Sequence, residues 1–293
     1  MPKRNILVTG ANGFIGKALI NGLDRAQFNI FALDIVNRRE SDALPVEKFY
    51  LQDITAPFKL DVPFDHVLHL AALNVTHIDA AQYQEYHRVN VRGTENLVRA
   101  VQTRNFAYLS TVKVYKKQNG LIDEQSPLGP EADYERSKLE AEEVCRQYFN
   151  EERLTVFRAV NVVGPGQPEK AVIPIFFKRA MRNEPLEIIY PMGTLLQMLD
   201  IGDLLRAFYL LAGKDRGIGT VNLCSEETIA LGELAKEIIA VCRSNSSLHV
   251  VPDKKVTAMK FISKKAKSTL GWEARTPIRE ILRNYYNFIA VPQ

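Results

Sequence analysis

The chain opens with a short apolar run, Asn5-Ile6-Leu7-Val8-Thr9, that passes through Gly10, Gly13 and Gly16 straight into the helix-forming Lys17-Ala18-Leu19-Ile20. A strand that meets a helix through three glycines reads as the first βα unit of a nucleotide-holding sheet. Gly10 takes the tight turn, Gly13 lets backbone amides approach a pyrophosphate, and Gly16 lets the helix lie close on the sheet. The phosphates then face a helix N-terminus and its partial positive charge. Gly10, Asn12, Gly13, Phe14, Ile15 and Gly16 are therefore candidate cofactor contacts. The spacing is Gly-x-x-Gly-x-x-Gly, not the Gly-x-Gly-x-x-Gly of the commonest dinucleotide fingerprint.

The following strand supports a dinucleotide. Phe28 to Leu33 is apolar and ends in Asp34, about 20 residues past the glycines, where a carboxylate accepts hydrogen bonds from the adenosine ribose hydroxyls. A carboxylate there repels a 2′-phosphate and favours NAD over NADP. Arg38 and Arg39 are the residues that would instead serve NADP. Asp53 reads either as an adenine contact with Ile54 packed on the ring, or as a turn cap.

Strand and helix patterns alternate through the first half, the signature of a parallel sheet covered on both faces. Asp65 to Ala72 is a strand whose small terminal residues, with Leu70, Ala71 and Ala72 at its end, leave room for a cofactor. A helix is expected from about Ala80 to Thr103, carrying Asn90. Phe106 to Thr111 is a strand ending in two hydroxyls, Ser110 and Thr111. A charged helix runs from about Tyr134 to Asn150, and Leu154 to Val160 is a further strand. Beyond Gly166 the alternation loosens into helices at Val172 to Arg182 and Asp203 to Ala212, strands at Leu186 to Tyr190 and Thr220 to Leu223, and a helical tail broken at Gly271-Trp272. Trp272 reads as core.

The 293 residues and 46% hydrophobic content suffice for one large α/β unit with an appended lobe. A net charge of +4 from 38 basic and 34 acidic residues, with no basic stripe, argues against nucleic acid. Cys145, Cys224 and Cys242 are too scattered for a disulfide framework or a metal site and read as reduced, mostly buried thiols. No leader-like or membrane-spanning apolar run is visible, which points to the cytoplasm and to no membrane partner.

Chemistry is carried by Tyr134-Glu135-Arg136-Ser137-Lys138. Four-residue spacing at a helix start puts the phenol and the ammonium on one face, a turn apart. A cation about 4 Å from the phenol is worth roughly 4 kcal/mol at an effective dielectric near 20, about three pK units. Tyr134 is therefore expected to titrate near neutrality and to serve as a general acid-base. Thr111 is placed to hydrogen-bond a substrate oxygen.

With these motifs the chain resembles the extended short-chain dehydrogenase/reductases, specifically the NAD-dependent epimerase/dehydratase group acting on nucleotide sugars. The resemblance covers nearly the whole chain. It also includes His69-Leu70-Ala71-Ala72, Asn90-Val91-Arg92-Gly93-Thr94, Leu109 to Tyr115, Arg158 to Gly166 and Gly271-Trp272. It implies a Rossmann-type doubly wound parallel sheet over residues 1–163. A smaller, partly interleaved substrate lobe would follow over 164–293, with a strand and helix at about 200–225 returning to the sheet. It further implies hydride transfer between a carbinol carbon and nicotinamide, most simply at the sugar C4, as in an epimerase or a 4-ketoreductase. Tyr134 is then the acid-base, Lys138 the ligand of the nicotinamide ribose, Thr111 the hydroxyl partner and Asn161 a substrate contact; Asn90 and Ser110 join the cofactor set. A homodimer through the helices carrying Asn90 and Tyr134 is implied as well.

Two departures qualify this resemblance. Relatives that eliminate water carry an acidic pair or a Glu after the catalytic hydroxyl, where this chain has Val112 and Lys113, so dehydration is disfavoured and Lys113 becomes a candidate substrate contact. The arginines that usually grip a sugar diphosphate are missing from Leu196 to Asp203 and from Val251 to Lys254. Either Arg179, Arg182, Lys254 or Lys255 grips the anion, or the substrate is a non-nucleotide keto compound or lactol. A non-catalytic dinucleotide-binding regulator is the remaining alternative, and the Thr111, Tyr134 and Lys138 set counts against it.

Overall fold

The computed structural model describes residues 2–37, 45–74, 82–250 and 258–290. Arg38, Arg39, Lys254 and Lys255, and the Val251 to Lys254 stretch, lie outside the described residues. Seven parallel strands form one central sheet: β1 (Arg4–Thr9), β2 (Phe28–Asp34), β3 (Lys48–Leu51), β4 (Pro63–His69), β5 (Gln102–Thr111), β6 (Leu154–Ala159) and β7 (Gly219–Leu223). Their spatial order is β7-β6-β5-β4-β1-β2-β3. The order reverses at β1, so the crevice between the carboxyl ends of β1 and β4 is the topological switch point where ligands bind in such sheets. The core of the sheet is mainly apolar because helices cover both faces. Ile6, Leu7, Val8, Val67, Leu68, Val156 and Phe157 are wholly buried.

Helix α1 (Phe14–Gly22) follows β1 and packs against α6 (Ile201–Ala212), while β7 closes the sheet edge beside β6. The stretch expected as one helix from Ala80 to Thr103 is three pieces: α2 (Gln82–Tyr86), a π-helical turn (His87–Arg92) and α3 (Gly93–Ala100). Residues 102 and 103 already belong to β5, whose first residues pair with Pro63 and Phe64. The tertiary pairing outweighs the helical periodicity there. Helix α4 (Asp133–Tyr148) lies beside α3 on one face. Its start is held by Glu135, whose carboxylate accepts from the backbone N–H groups of Glu131 and Ala132, both at 3.1 Å.

A separate core joins α5 (Val172–Met181), α7 (Leu231–Val241) and α9 (Ile278–Ala290) around Phe177, Ile188, Leu234, Ile238 and Leu282. Helix α7 escapes the sequence pattern. Short two-stranded pairings stitch this lobe together, including Asn161–Val163 with Met198–Asp200. Between α7 and α9 lies the short α8 (Lys264–Leu270), which ends on Gly271 at φ 69°. Trp272 is core as expected, fully buried, with its indole N–H donating to the Asp203 carbonyl at 2.8 Å. The Asp203 carboxylate also accepts from the Arg275 and Thr276 amides, which fixes the tail onto α6.

Candidate active site

The glycine turn is built as tightly as its spacing demands. Gly10 sits at φ 65°, and a Cβ there would meet the Ala71 amide nitrogen at 2.8 Å, so the 70–72 loop rests directly on it. A Cβ on Gly16 would lie 2.1 Å from the Gly10 carbonyl oxygen. Gly16→Ala is accordingly expected to cost about 3 kcal/mol through forced displacement of the turn, read as a lowered chemical-denaturation midpoint; an unchanged midpoint would contradict this geometry. Gly13 caps α1, and Phe14 and Ile15 pack partly against the core from its first turn. Asp34, at the end of β2, accepts from the Asn12 amide (2.9 Å) and the Val36 amide (3.0 Å), which brings the acidic residue onto the turn. The buried Asn12 Oδ1 has no partner among the described residues. A cradle of this kind, with a carboxylate at its edge, fits a dinucleotide: the turn would hold the pyrophosphate and Asp34 the adenosine ribose.

The other cofactor candidates divide between those that face this crevice and those tied into the scaffold. Asp53 caps a turn through the Thr55 amide (2.8 Å), and Ile54 is buried, close enough to Gly93 that a Cβ there would meet its Cδ1 at 2.8 Å. The cap reading of Asp53 is the one the structure displays, and Ile54 turns to the core. Leu70 and Ala71 present their amides to Thr9 Oγ1, each at 3.2 Å. Asn90 is tied into the scaffold by its side chain. Its carboxamide accepts from the Leu73 amide (2.7 Å) and donates to the Leu73 carbonyl (3.1 Å) and Ser137 Oγ (2.9 Å). Ser137 in turn donates to the Tyr134 carbonyl at 2.8 Å. The π-helical turn thus positions Asn90 as a brace between the β4 loop and the start of α4. The Ser110 hydroxyl donates inward to Glu142 at 2.5 Å.

His69 anchors the same crevice. Thr94 Oγ1 donates to the Asn90 carbonyl (2.6 Å), so His69 Nε2 must donate to Thr94 Oγ1 (2.9 Å), leaving Nδ1 to accept from Thr9 Oγ1 at 2.7 Å. That assignment of hydrogens needs a neutral ring. Burial, followed by the Lys138 charge, lowers His69 to about 3, and burial lowers His66 to about 4. Both folded values lie below the unfolded value near 6.5, so between those limits the unfolded chain binds more protons and stability falls as pH falls. His66 alone contributes about 3 kcal/mol on this account at 1.36 kcal/mol per unit. Melting temperature is expected to drop steadily from pH 6.5 toward 4; a flat profile over that window would contradict buried neutral histidines.

Thr111 closes β5, nearly buried, and its hydroxyl accepts from the Lys113 amide at 3.3 Å. Lys138 Nζ donates to the Leu109 carbonyl at 2.7 Å, two residues before Thr111, and lies 4.1 Å from the centroid of the Tyr108 ring. Tyr134 stands one turn earlier on α4, its ring 6.0 Å from that of Tyr86. The expected lowering of Tyr134 by Lys138 is reversed in this state. Burial pushes the Tyr134 phenol well up, and burial pulls Lys138 down to about 7 against the opposing pull of Glu142. Desolvation wins because the ammonium is turned to a carbonyl and an aromatic face rather than to the phenol.

Behind this set lies an ion cluster that sequence reading did not single out. The wholly buried Glu142 accepts from Arg158 Nε (3.0 Å) and Nη2 (2.6 Å), from Arg146 (2.9 Å) and from Ser110. These donors hold its carboxyl below the usual range in spite of burial. Arg158 also lies over the Tyr115 ring at 4.8 Å, and Tyr115 donates to Asn222 at 2.8 Å, which ties β6 and β7 to the site. The available signal was Glu142 one turn after Lys138 on the same helix face.

The substrate candidates sit further out. Lys113 and Asn161 are exposed, whereas Arg179 is engaged by Glu187 (3.0 Å) and the Pro185 carbonyl (2.9 Å), and Arg182 lies 3.9 Å from Glu184. Arg179 is thus engaged within its own lobe. At the position where a diphosphate arginine was sought, Gln197 is buried and bonded to Ser225 and Phe261. A surface concavity of about 430 Å³ lies at the opposite end of the sheet around Asn5, Phe64, Asp65 and Arg104 and takes no part in this chemistry. Among the described residues no group of three or more His, Cys, Asp or Glu is placed to hold a metal ion, and no helix is long and apolar enough to cross a membrane.

The fold and the Thr111, Tyr134 and Lys138 set define a chain of the extended short-chain dehydrogenase/reductase class. Residues 6–224 match the model of the NAD dependent epimerase/dehydratase family, and the chain belongs to that family. It is 30% identical over 310 residues to human dTDP-D-glucose 4,6-dehydratase, covering 94% of this chain and 87% of that protein. Identity is 27% over 313 residues with UDP-glucose 4-epimerase of Halalkalibacterium halodurans, covering 94% and 92%. The solved structure of MoeE5 in complex with UDP-glucose and NAD superposes with a TM-score of 0.85 at 26% identity over 98% of both chains.

These relatives correct one expectation. Dehydration was disfavoured because Val112 and Lys113 replace an acidic pair, yet dehydratases are among the relatives at 30% identity over 94% of this chain. The structure supplies a physical reason why those two positions are a poor guide. Val112 and Val114 are buried core residues of a short helical turn, and Lys113 faces outward between them, so the stretch reflects packing.

Proposed function

We propose that this protein is an NAD-dependent nucleotide-sugar enzyme that moves a hydride at the sugar C4, as an epimerase or a 4-ketoreductase, with Tyr134 as its acid-base. What supports this reading is that Lys138 bonds the Leu109 carbonyl near Thr111 at the carboxyl end of β5, with Tyr134 one turn before it on α4, on the same edge of the sheet as the glycine turn and Asp34. NAD, when bound, supplies or accepts the hydride. The phenol, raised by burial, is protonated at neutral pH and is suited to donate its proton to the oxygen of a keto sugar as the carbinol forms. Thr111 shares that oxygen. In the oxidising direction the phenol first gives up its proton, a step its burial opposes at neutral pH, and the resulting phenolate receives the carbinol proton.

The exposed Lys113 and Asn161 frame the substrate side, with UDP- or dTDP-linked hexoses as the substrate class. The alternative, a non-nucleotide keto compound or lactol, draws its support from the pairing of Arg179 with Glu187 and from Leu196 and Gln197 in place of an arginine. A homodimer through α2, α3 and α4 belongs to the same reading and is checked by sedimentation.

The deciding experiment mixes purified protein and NAD or NADH with UDP-, GDP- and dTDP-linked hexoses and their 4-keto forms. Interconversion of C4 epimers without net cofactor loss marks an epimerase, and stoichiometric NADH loss marks a ketoreductase. A 4-keto-6-deoxy product would replace both with a dehydratase. Silence across the panel, with turnover of simple keto compounds or lactols, would overturn the nucleotide-sugar assignment.

A further inference from the structure

Lys138 is a buried ammonium in unusual company. Its Nζ donates to the Leu109 carbonyl and lies 4.1 Å from the Tyr108 ring centroid, and no ion pair involves it among the described residues. The carboxylate nearest along its own helix, Glu142, is occupied by Arg158, Arg146 and Ser110. The other titratable groups facing Lys138 are neutral at pH 7. His69 from β4 is held neutral by burial, and on α4 the Cys145 thiol is pushed up by burial, as is the Tyr134 phenol one turn away. The Tyr108 phenol of β5 is also pushed up by burial and stays neutral. Tyr108 is 1% exposed and its ring is braced 5.5 Å from that of His69, so the π face is fixed in place.

We propose that Tyr108 is a positioning residue whose ring face holds the Lys138 ammonium in its charged form at the end of β5. The attraction of a desolvated cation to a ring quadrupole replaces the missing carboxylate. Without it, the balance of burial against the Leu109 dipole and the shared charge of Glu142 favours loss of the proton. The hydroxyl is not part of this role: Tyr108 Oη has no partner among the described residues. Phe at 108 therefore serves as well as Tyr. The proposal rests on the reading that Lys138 belongs to the active site, but its physical content does not depend on which substrate is turned over.

The test follows the Lys138 ε-carbon by NMR through a pH titration of the full-length protein, with the resonance assigned by its loss in Lys138→Met. Tyr108→Leu is expected to lower the titration midpoint by about one pH unit, and Tyr108→Phe to leave it in place. Should the leucine variant fail to fold, phenylalanines of increasing fluorination at 108 keep the shape while weakening the π face, and the midpoint is expected to step down along the series. The alkaline limb of kcat/KM should move with it. A folded Tyr108→Leu that titrates like the parent, or a flat fluorine series, overturns the proposal. A moving midpoint in a protein inactive on nucleotide sugars upholds it and overturns only the substrate reading.

Discussion

A Tyr134→Phe variant is expected to fold and bind NAD like the parent while kcat falls by about a hundred- to ten-thousand-fold, the range of a lost general acid-base. Binding should survive because the cradle is formed by Gly10, Gly13, Gly16 and Asp34, far along the chain from α4. The start of α4 should survive because it is held by Glu135 and by Ser137, whose contacts involve main-chain atoms of residues 131, 132 and 134. The loss should therefore appear in the chemical step, with little change in KM. Single-turnover measurements at saturating substrate check this directly. Full activity in the variant would remove Tyr134 from the chemistry.

The largest expected effect on stability lies one turn beyond Lys138. Glu142→Ala leaves the Arg158 guanidinium, 2% exposed, without its bidentate carboxylate, and the cost of breaking such a buried pair is about 3–5 kcal/mol. In a chain of this size that corresponds to a fall in melting temperature on the order of 10 °C. A double variant, Glu142→Leu with Arg158→Met, removes both charges and is expected to recover much of the loss, because no uncompensated charge remains in the core. Thermal melts of the three proteins at neutral pH make the comparison. A single variant as stable as the parent would show that water reaches Arg158 and that the cluster is not dry.

The glycine turn and the side chains around the site differ in how legible they were from sequence. Local rules sufficed for the Gly10 to Gly16 turn, for Asp34 at the end of β2 and for the one-turn spacing of Tyr134 and Lys138, since each feature is set by residues close in the chain. Side-chain direction was harder. Asn90 and Ser110 look like cofactor contacts from their positions beside the site, yet their partners, Leu73, Ser137 and Glu142, lie 17 to 47 residues away in sequence. The partner of Arg179, Glu187 on the following strand, was likewise not legible from the sequence. The Tyr134 titration was misjudged because a pairwise Coulomb estimate omits burial, and burial is the larger cause here. The exclusion of dehydration from Val112 and Lys113 failed because a turn that buries two valines carries packing information first.

The most direct measurement of the central claim uses UDP- and dTDP-hexoses carrying deuterium at C4, mixed rapidly with the NAD-loaded protein while the reduced nicotinamide absorbance is followed. Hydride transfer at C4 predicts transient reduction, slower with the deuterated sugar than with the ordinary one, and recovery of deuterium on the nicotinamide of quenched samples. Product formed with no reduced nicotinamide and no isotope effect, in protein shown to hold NAD, would contradict hydride transfer at C4.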